Sequence, residues 1–158
     1  MKILRAHSAI AALILSVSAI AAIKHYPAGA GASGGFAPPF SSAVMAGNIL
    51  YIAGTTDSTD PITGKPPVDA TRGAKVVLDN IKKTVEKAGL TMDDLVWVQV
   101  FASDLKYYPD FNAVYRTYFK GDMPARAFIG ASSLLGGAHF EVMGIAVKPA
   151  IPARKENQ

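Results

Sequence analysis

Residues 95–130, LVWVQVFASDLKYYPDFNAVYRTYFKGDMPARAFIG, change hydrophobic period twice, and the fold follows from those two changes. LVWVQVFAS (95–103) is β-branched and aromatic, as a buried strand is. YPDFNAVYRTYF (108–119) carries apolar or aromatic residues at 111, 114, 115, 118 and 119, a helical spacing that starts near Pro109. ARAFIGASS (125–133) returns to a strand. At its head, two residues after Pro124, stands Arg126, in a run where a core residue is expected.

On the N-terminal side, SSAVMAGNILYIAG (41–54) reads as two short strands around a tight turn at Gly47 and Asn48. TTDSTDPITGKPPVD (55–69) is a loop rich in turn residues, and its acids Asp57 and Asp60 read as turn formers, because nothing nearby completes an oxygen cage for a metal. From about Ala70 to Ala88, the residues Ala74, Val77, Leu78, Ile81, Val85 and Ala88 recur at helical spacing, and Gly89 is placed to end the helix. On the C-terminal side, the glycine-bearing LLGGA (134–138) leads into a last strand, HFEVMGIAV (139–147). The order β-β-α-β-α-β-β predicts an α+β domain over 38–150, one mixed sheet with two helices on one face, followed by a tail at 151–158. The other sheet face needs a cover, which an apolar face of that size finds in another subunit.

With 158 residues, half of them hydrophobic, the chain supports one domain with one core. Its opening, MKILRAHSAIAALILSVSAIAA (1–22), has a positive start, an apolar middle and the A-x-A pattern at Ala19 and Ala21, and predicts a secretory signal peptide. The apolar run from Ser8 to Ile23 is shorter than the roughly 20 residues that span a bilayer, so a membrane association is expected only through this leader if it stays uncleaved. The expected location is periplasmic or secreted. Without Lys2 and Arg5 the chain holds 14 basic and 12 acidic residues, too even a balance to predict nucleic-acid binding. Residues 23–37 are rich in Gly, Ala and Pro and predict a flexible linker. The GAGASG within it (29–34) matches G-x-G-x-x-G without the strand and helix that a dinucleotide loop requires.

Catalytic sets of the common kinds are sparse. His139 is the only histidine within the domain and there is no cysteine, which argues against a metal site and a Ser-His-Asp triad. Ser132 and Ser133 lack the G-x-S-x-G of a nucleophile elbow. Arg126 has two readings: an ion pair with a carboxylate such as Glu141 with its stem packed on the core, or a guanidinium fork that grips a ligand carboxylate. Asn112 is either a solvated helical residue or a hydrogen-bonding partner in a site. In the last strand, the period of two puts His139, Glu141 and Met143 on one face.

The segments PFSSAVMAGNILYIAG, DPITGKPP, TRGAKVVLDNIKKTVEKAGLTMDDLV, VFASDL, FNAVYRTYF, MPARAF and FEVMGIAV, in this order over residues 38–148, resemble the Rid family of reactive-intermediate deaminases, also called YjgF/RidA or the endoribonuclease L-PSP family. The resemblance implies a chorismate-mutase-like fold, a homotrimer whose sheets meet in a central barrel, and clefts between subunits. It implies hydrolysis of 2-imino acids or their enamine tautomers to 2-keto acids and ammonia, with no metal or organic cofactor. Under it, Arg126 is the family's carboxylate-binding arginine and Asn112 the retained asparagine of the second helix. Phe40 stands where the family often has tyrosine, and Ala53 where it has serine. The family's E-x-E-x-I-A becomes EVMGIA, so the second glutamate, which positions or activates the attacking water, is Met143. Phe40, Ala53 and Met143 then line the substrate pocket, and Glu141, two residues earlier on the same face, is the candidate replacement base.

Two functions follow from these substitutions. The first is an attenuated or altered imine/enamine deaminase with Arg126 and Glu141 as catalytic residues. The second is a non-catalytic trimer that binds small carboxylates or keto acids in a more apolar pocket. Ribonuclease activity, which the family's older name suggests, has little support in a chain of near-even charge with no pair of histidines.

Overall fold

A computed structural model describes residues 22–29 and 38–149. The predicted signal peptide at 1–22 and the tail at 151–158 lie outside these residues, Ala22 excepted. The elements are β1 (Ile23–Pro27), β2 (Ser41–Ala46), β3 (Ile49–Thr56), α1 (Ala70–Lys87), β4 (Leu95–Ala102), α2 (Tyr108–Tyr115), β5 (Ala125–Gly130) and β6 (Phe140–Val147).

All six strands form one sheet in the order β1-β2-β3-β6-β4-β5. Every neighbouring pair is antiparallel except β4 and β5, which run parallel because α2 carries the chain back across the sheet. The mixed sheet with two helices is as expected, with one strand more. The predicted linker begins with β1, which pairs along β2 from Ile23↔Ala46 to Pro27↔Ser41. Only Tyr26 of β1 is buried, so the strand shows no alternation in the sequence, and its main-chain ladder and one aromatic anchor hold it.

Helix α1 starts at Asp69, whose carboxylate accepts the Arg72 backbone N–H at 2.7 Å, and turns out of helical geometry at Gly89. Its buried face includes Ala74, Val77, Leu78, Ile81 and Val85 as predicted from spacing, while Ala88 caps the helix and is only partly buried. They pack on the even-numbered residues of β6, where Phe140, Val142 and Ala146 are buried and Glu141, Met143 and Ile145 are only partly so. Phe111 of α2 tilts its ring against that of Phe140, centre to centre 4.9 Å, both fully buried. Burying each such side chain contributes roughly 1.5–3 kcal/mol.

The face away from the helices is apolar and only partly covered. Trp97 pairs with Ile145, Gln99 with Met143 and Phe101 with both Glu141 and Ile129, and Tyr51 and Ile129 are 48% and 42% exposed. The two faces therefore differ in kind: one is a closed core, the other a surface.

Candidate functional site

Strand register decides where Arg126 goes. On β5 it pairs with Val98, which in turn pairs with Gly144, and Val98 and Gly144 are buried on the helix side. Arg126 therefore lies beneath α2, on the same face as Phe128. Helix α2 meets it with Tyr108, Asn112 and Tyr115, at i, i+4 and i+7 on one helical face. An Arg126 Nη2–H donates to Asn112 Oδ1 at 2.7 Å. The guanidinium carbon stands 4.7 Å from the Tyr115 ring centre, 5.7 Å from Tyr108, and 5.8 Å from both Phe111 and Phe128. A cation among aromatic faces is attracted without being neutralised.

Glu141 is on the opposite face, since it pairs with Phe101 in the row that continues to Ile129. The expected alternative, an Arg126–Glu141 ion pair, is corrected: Arg126 forms no ion pair with a carboxylate among the described residues. The two side chains leave the sheet in opposite directions. Arg126 has five N–H donors and a neutral amide as hydrogen-bond partner, in a cleft of about 290 Å³ that Tyr108, Asn112, Tyr115 and Pro124 also line. Asn112 beside it, and then the Arg126 charge, pull the Tyr108 phenol below its ordinary value. Burial pushes the Tyr115 phenol up to about 12 despite Arg126.

Glu141 lines a separate, larger cavity of about 630 Å³ with Phe40, Ser42, Ala53, Thr56 and Ser58. A β-bulge shapes this wall. Ile52 pairs with Gly144 and Thr55 with Val142, so Ala53 and Gly54 together face the single residue Met143. The Glu141 carboxylate folds against Gly54, where a Cβ would collide with it. Met143 lines neither this cavity nor the Arg126 cleft, and sits half-buried on the open sheet face. The expected site residues thus fall into two groups, Arg126 with Asn112, and Phe40 with Ala53 and Glu141, and the expectation that Met143 lines the pocket is corrected. The two cavities have no lining residue in common within one protomer.

His139 departs from the expected face. It precedes β6 in a bend, and its ring turns to the helix side, where Nδ1 lies 2.9 Å from Asp57 Oδ2 and the ring is edge-on to Tyr107. Asp57 is fully buried and also accepts the Phe140 backbone N–H at 2.8 Å. Asp60 forms its expected turn, accepting the Ile62 N–H, and in addition a bidentate pair with Arg72 at 2.6 and 2.7 Å. Both acids thus tie the 55–69 loop to the core, roles that reach well beyond a local turn. No cluster of three or more potential metal ligands occurs among the described residues.

Residues 35–148 match the family described as Endoribonuclease L-PSP. The chain belongs to that family. It is 38% identical over 111 residues to a RutC family protein of Sulfurisphaera tokodaii, an alignment covering 70% of this chain and 88% of the relative. It is 32% identical over 111 residues to mouse 2-iminobutanoate/2-iminopropanoate deaminase, covering 70% and 82%. Among solved structures it resembles Escherichia coli TdcF with bound serine, with a TM-score of 0.67 and 27% identity, covering 79% of this chain and 94% of the other. In this L-PSP family member, the arginine cleft and the glutamate cavity hold the expected site residues other than Met143.

Proposed function

We propose that this family member hydrolyses 2-imino acids to 2-keto acids and ammonia, in a homotrimer that sets the Arg126 cleft of one subunit against the Glu141 cavity of the next. The observation that carries this reading is Arg126 itself, held by Asn112 and four aromatic rings and paired with no carboxylate among the described residues. Such a guanidinium is a preorganised fork for a substrate carboxylate. The apolar open face, with Trp97, Phe101, Met143 and Ile145, supplies the surface that subunit packing would cover. The deaminase name of the mouse relative and the serine bound in TdcF support a small amino-acid-like substrate.

The carboxylate of the substrate sits on Arg126, which fixes the C2 imine in orientation. Water adds to C2 of the protonated imine as the Glu141 carboxylate takes one of its protons, giving a neutral carbinolamine. Glu141 returns that proton to the nitrogen and takes the hydroxyl proton as the C–N bond breaks, releasing ammonia and the 2-keto acid. Met143 has no acid–base capacity, so Glu141 is the group that remains for this step. General-base assistance is worth about 10²- to 10⁴-fold. The leader-like residues 1–22 make the proposed enzyme an exported one, which N-terminal sequencing of the protein recovered from the cell envelope tests.

The deciding experiment generates 2-iminopropanoate in situ with an amino-acid oxidase and measures the rate above spontaneous hydrolysis. The expected result is a wild-type rate that Arg126→Ala abolishes. Met143 favours a second reading, a trimer that binds 2-keto acids without turning imines over. Calorimetric binding of pyruvate to a wild type without hydrolytic rate would select it.

A further inference from the structure

We propose that Tyr115 is a second hydrogen-bond donor to the substrate carboxylate in the Arg126 cleft, a substrate-positioning residue that the family motifs around Arg126 and Asn112 do not assign. The inference rests on the deaminase reading and deepens it. Tyr115 is 4% exposed, and its hydroxyl is the one buried side-chain polar atom among the described residues that has no hydrogen-bond partner. Buried polar groups are nearly always paired, and an orphan in a native fold points to a partner that arrives from elsewhere.

The surroundings say what that partner is. Tyr115 lines the same cleft as Arg126, and of the four rings around the guanidinium it is the nearest, at 4.7 Å. An oxygen drawn there by the arginine is an anion's, and a carboxylate has two oxygens to place. Asn112 already uses its carbonyl oxygen on Arg126, and its remaining amide N–H groups serve the Tyr108 phenol, whose pKa they pull down. The Tyr115 phenol, with its pKa pushed up to about 12 by burial, stays protonated at working pH and can only donate to a carboxylate. The ring is fixed for this task, stacked 5.6 Å from Phe111 and tilted against Phe119 at 4.8 Å. One oxygen of the substrate carboxylate is then shared between Arg126 and Tyr115.

Tyr115→Phe keeps the ring and removes only the hydroxyl. Two measurements on the full-length protein test it: KM and kcat for 2-iminopropanoate, and the calorimetric Kd for pyruvate, with thermal melting of each variant. The expected result is a rise of about tenfold or more in KM and Kd, the loss of one hydrogen bond to a charged group, with a smaller change in kcat and a melting temperature equal to or above the wild type's. Unchanged KM and Kd in Tyr115→Phe overturn the assignment while leaving the deaminase standing. A variant that melts well below the wild type overturns it as well, because the hydroxyl then has a partner inside the fold. A wild type that neither hydrolyses the imine nor binds pyruvate removes the deaminase reading, and this assignment with it.

Discussion

Arg72, in the first turn of α1, and Arg126, beneath α2, are both partly buried arginines, yet their surroundings differ in kind. Arg72 meets the Asp60 carboxylate through both arms of its fork, at 2.6 and 2.7 Å, and Asp60 is 4% exposed. Its charge is spent within the fold, where it holds the 55–69 loop on α1. Arg126 meets one neutral amide oxygen and aromatic rings, which orient a guanidinium and leave its charge in place. The partner, more than the arginine or its burial, separates a structural guanidinium from one available to a ligand.

The comparison breaks first at Arg126. Arg126→Ala is expected to lower kcat/KM for 2-iminopropanoate by about 10²- to 10⁴-fold, the range of one or two charge-assisted hydrogen bonds, with thermal stability close to wild type because no carboxylate loses its partner. Steady-state kinetics and melting of the same preparation check both halves; a large loss of stability without a loss of rate would make Arg126 a second Arg72. Glu141→Gln comes next, with an expected fall in kcat of about 10²-fold or more and little change in KM, the signature of a lost base. Met143→Glu, added to Glu141→Gln, tests whether the open-face position can take over, and a recovered kcat would show that water reaches it.

The long periodic elements were legible in the sequence, since α1, the β2–β3 hairpin and β6 each bury one face over several residues. Strand β1 was not, because its main-chain ladder to β2 leaves no mark on side-chain pattern and Tyr26 alone is buried. Arg126 and Asn112 stand out by their motif, but of the rings that frame them only Phe111 and Tyr115 enter the helical pattern, and Tyr108, Asn112 and Tyr115 at i, i+4 and i+7 are the signal that joins them. The ion pair with Glu141, one of the two readings of Arg126, fails because the period of two orders faces within one strand and says nothing of register between strands. The same period put His139 with Glu141 for a related reason, since His139 lies in the bend before the strand. The Asp57–His139 contact spans 82 residues of sequence and has no local trace.

A smaller effect tests the packing between α1 and the loop. Gly73 of α1 lies against the Asp57 carboxylate, and a Cβ there would also stand 3.2 Å from His139 Nδ1. Gly73→Ala is expected to destabilise by about 1–3 kcal/mol, the usual cost of overpacking, despite alanine's better helix propensity. Chemical denaturation measures it, and a stabilised variant would mean that the loop yields to the helix.

The Arg72 side of the comparison has a pH signature that is absent at neutrality. Hydrogen bonding from Arg72, then from the Ile62 N–H, lowers the Asp60 carboxyl from its ordinary 3.8 to about 2. The folded protein therefore holds this carboxylate ionised where the unfolded chain has begun to protonate it. The stabilisation is fully present above about pH 4 and is lost as pH falls through that window toward 2, since stability rises with pH wherever the unfolded state binds more protons. Asp60→Asn removes the titrating group, so its unfolding free energy should depend less steeply on pH than the wild type's between about pH 4 and 2, while kcat/KM at neutral pH stays at the wild-type value. Urea titrations at stepped pH give both slopes. Equal slopes would mean that the pair is equally formed in the unfolded chain, and a loss of kcat/KM would tie the 55–69 loop to the Glu141 cavity through Thr56 and Ser58, which line it.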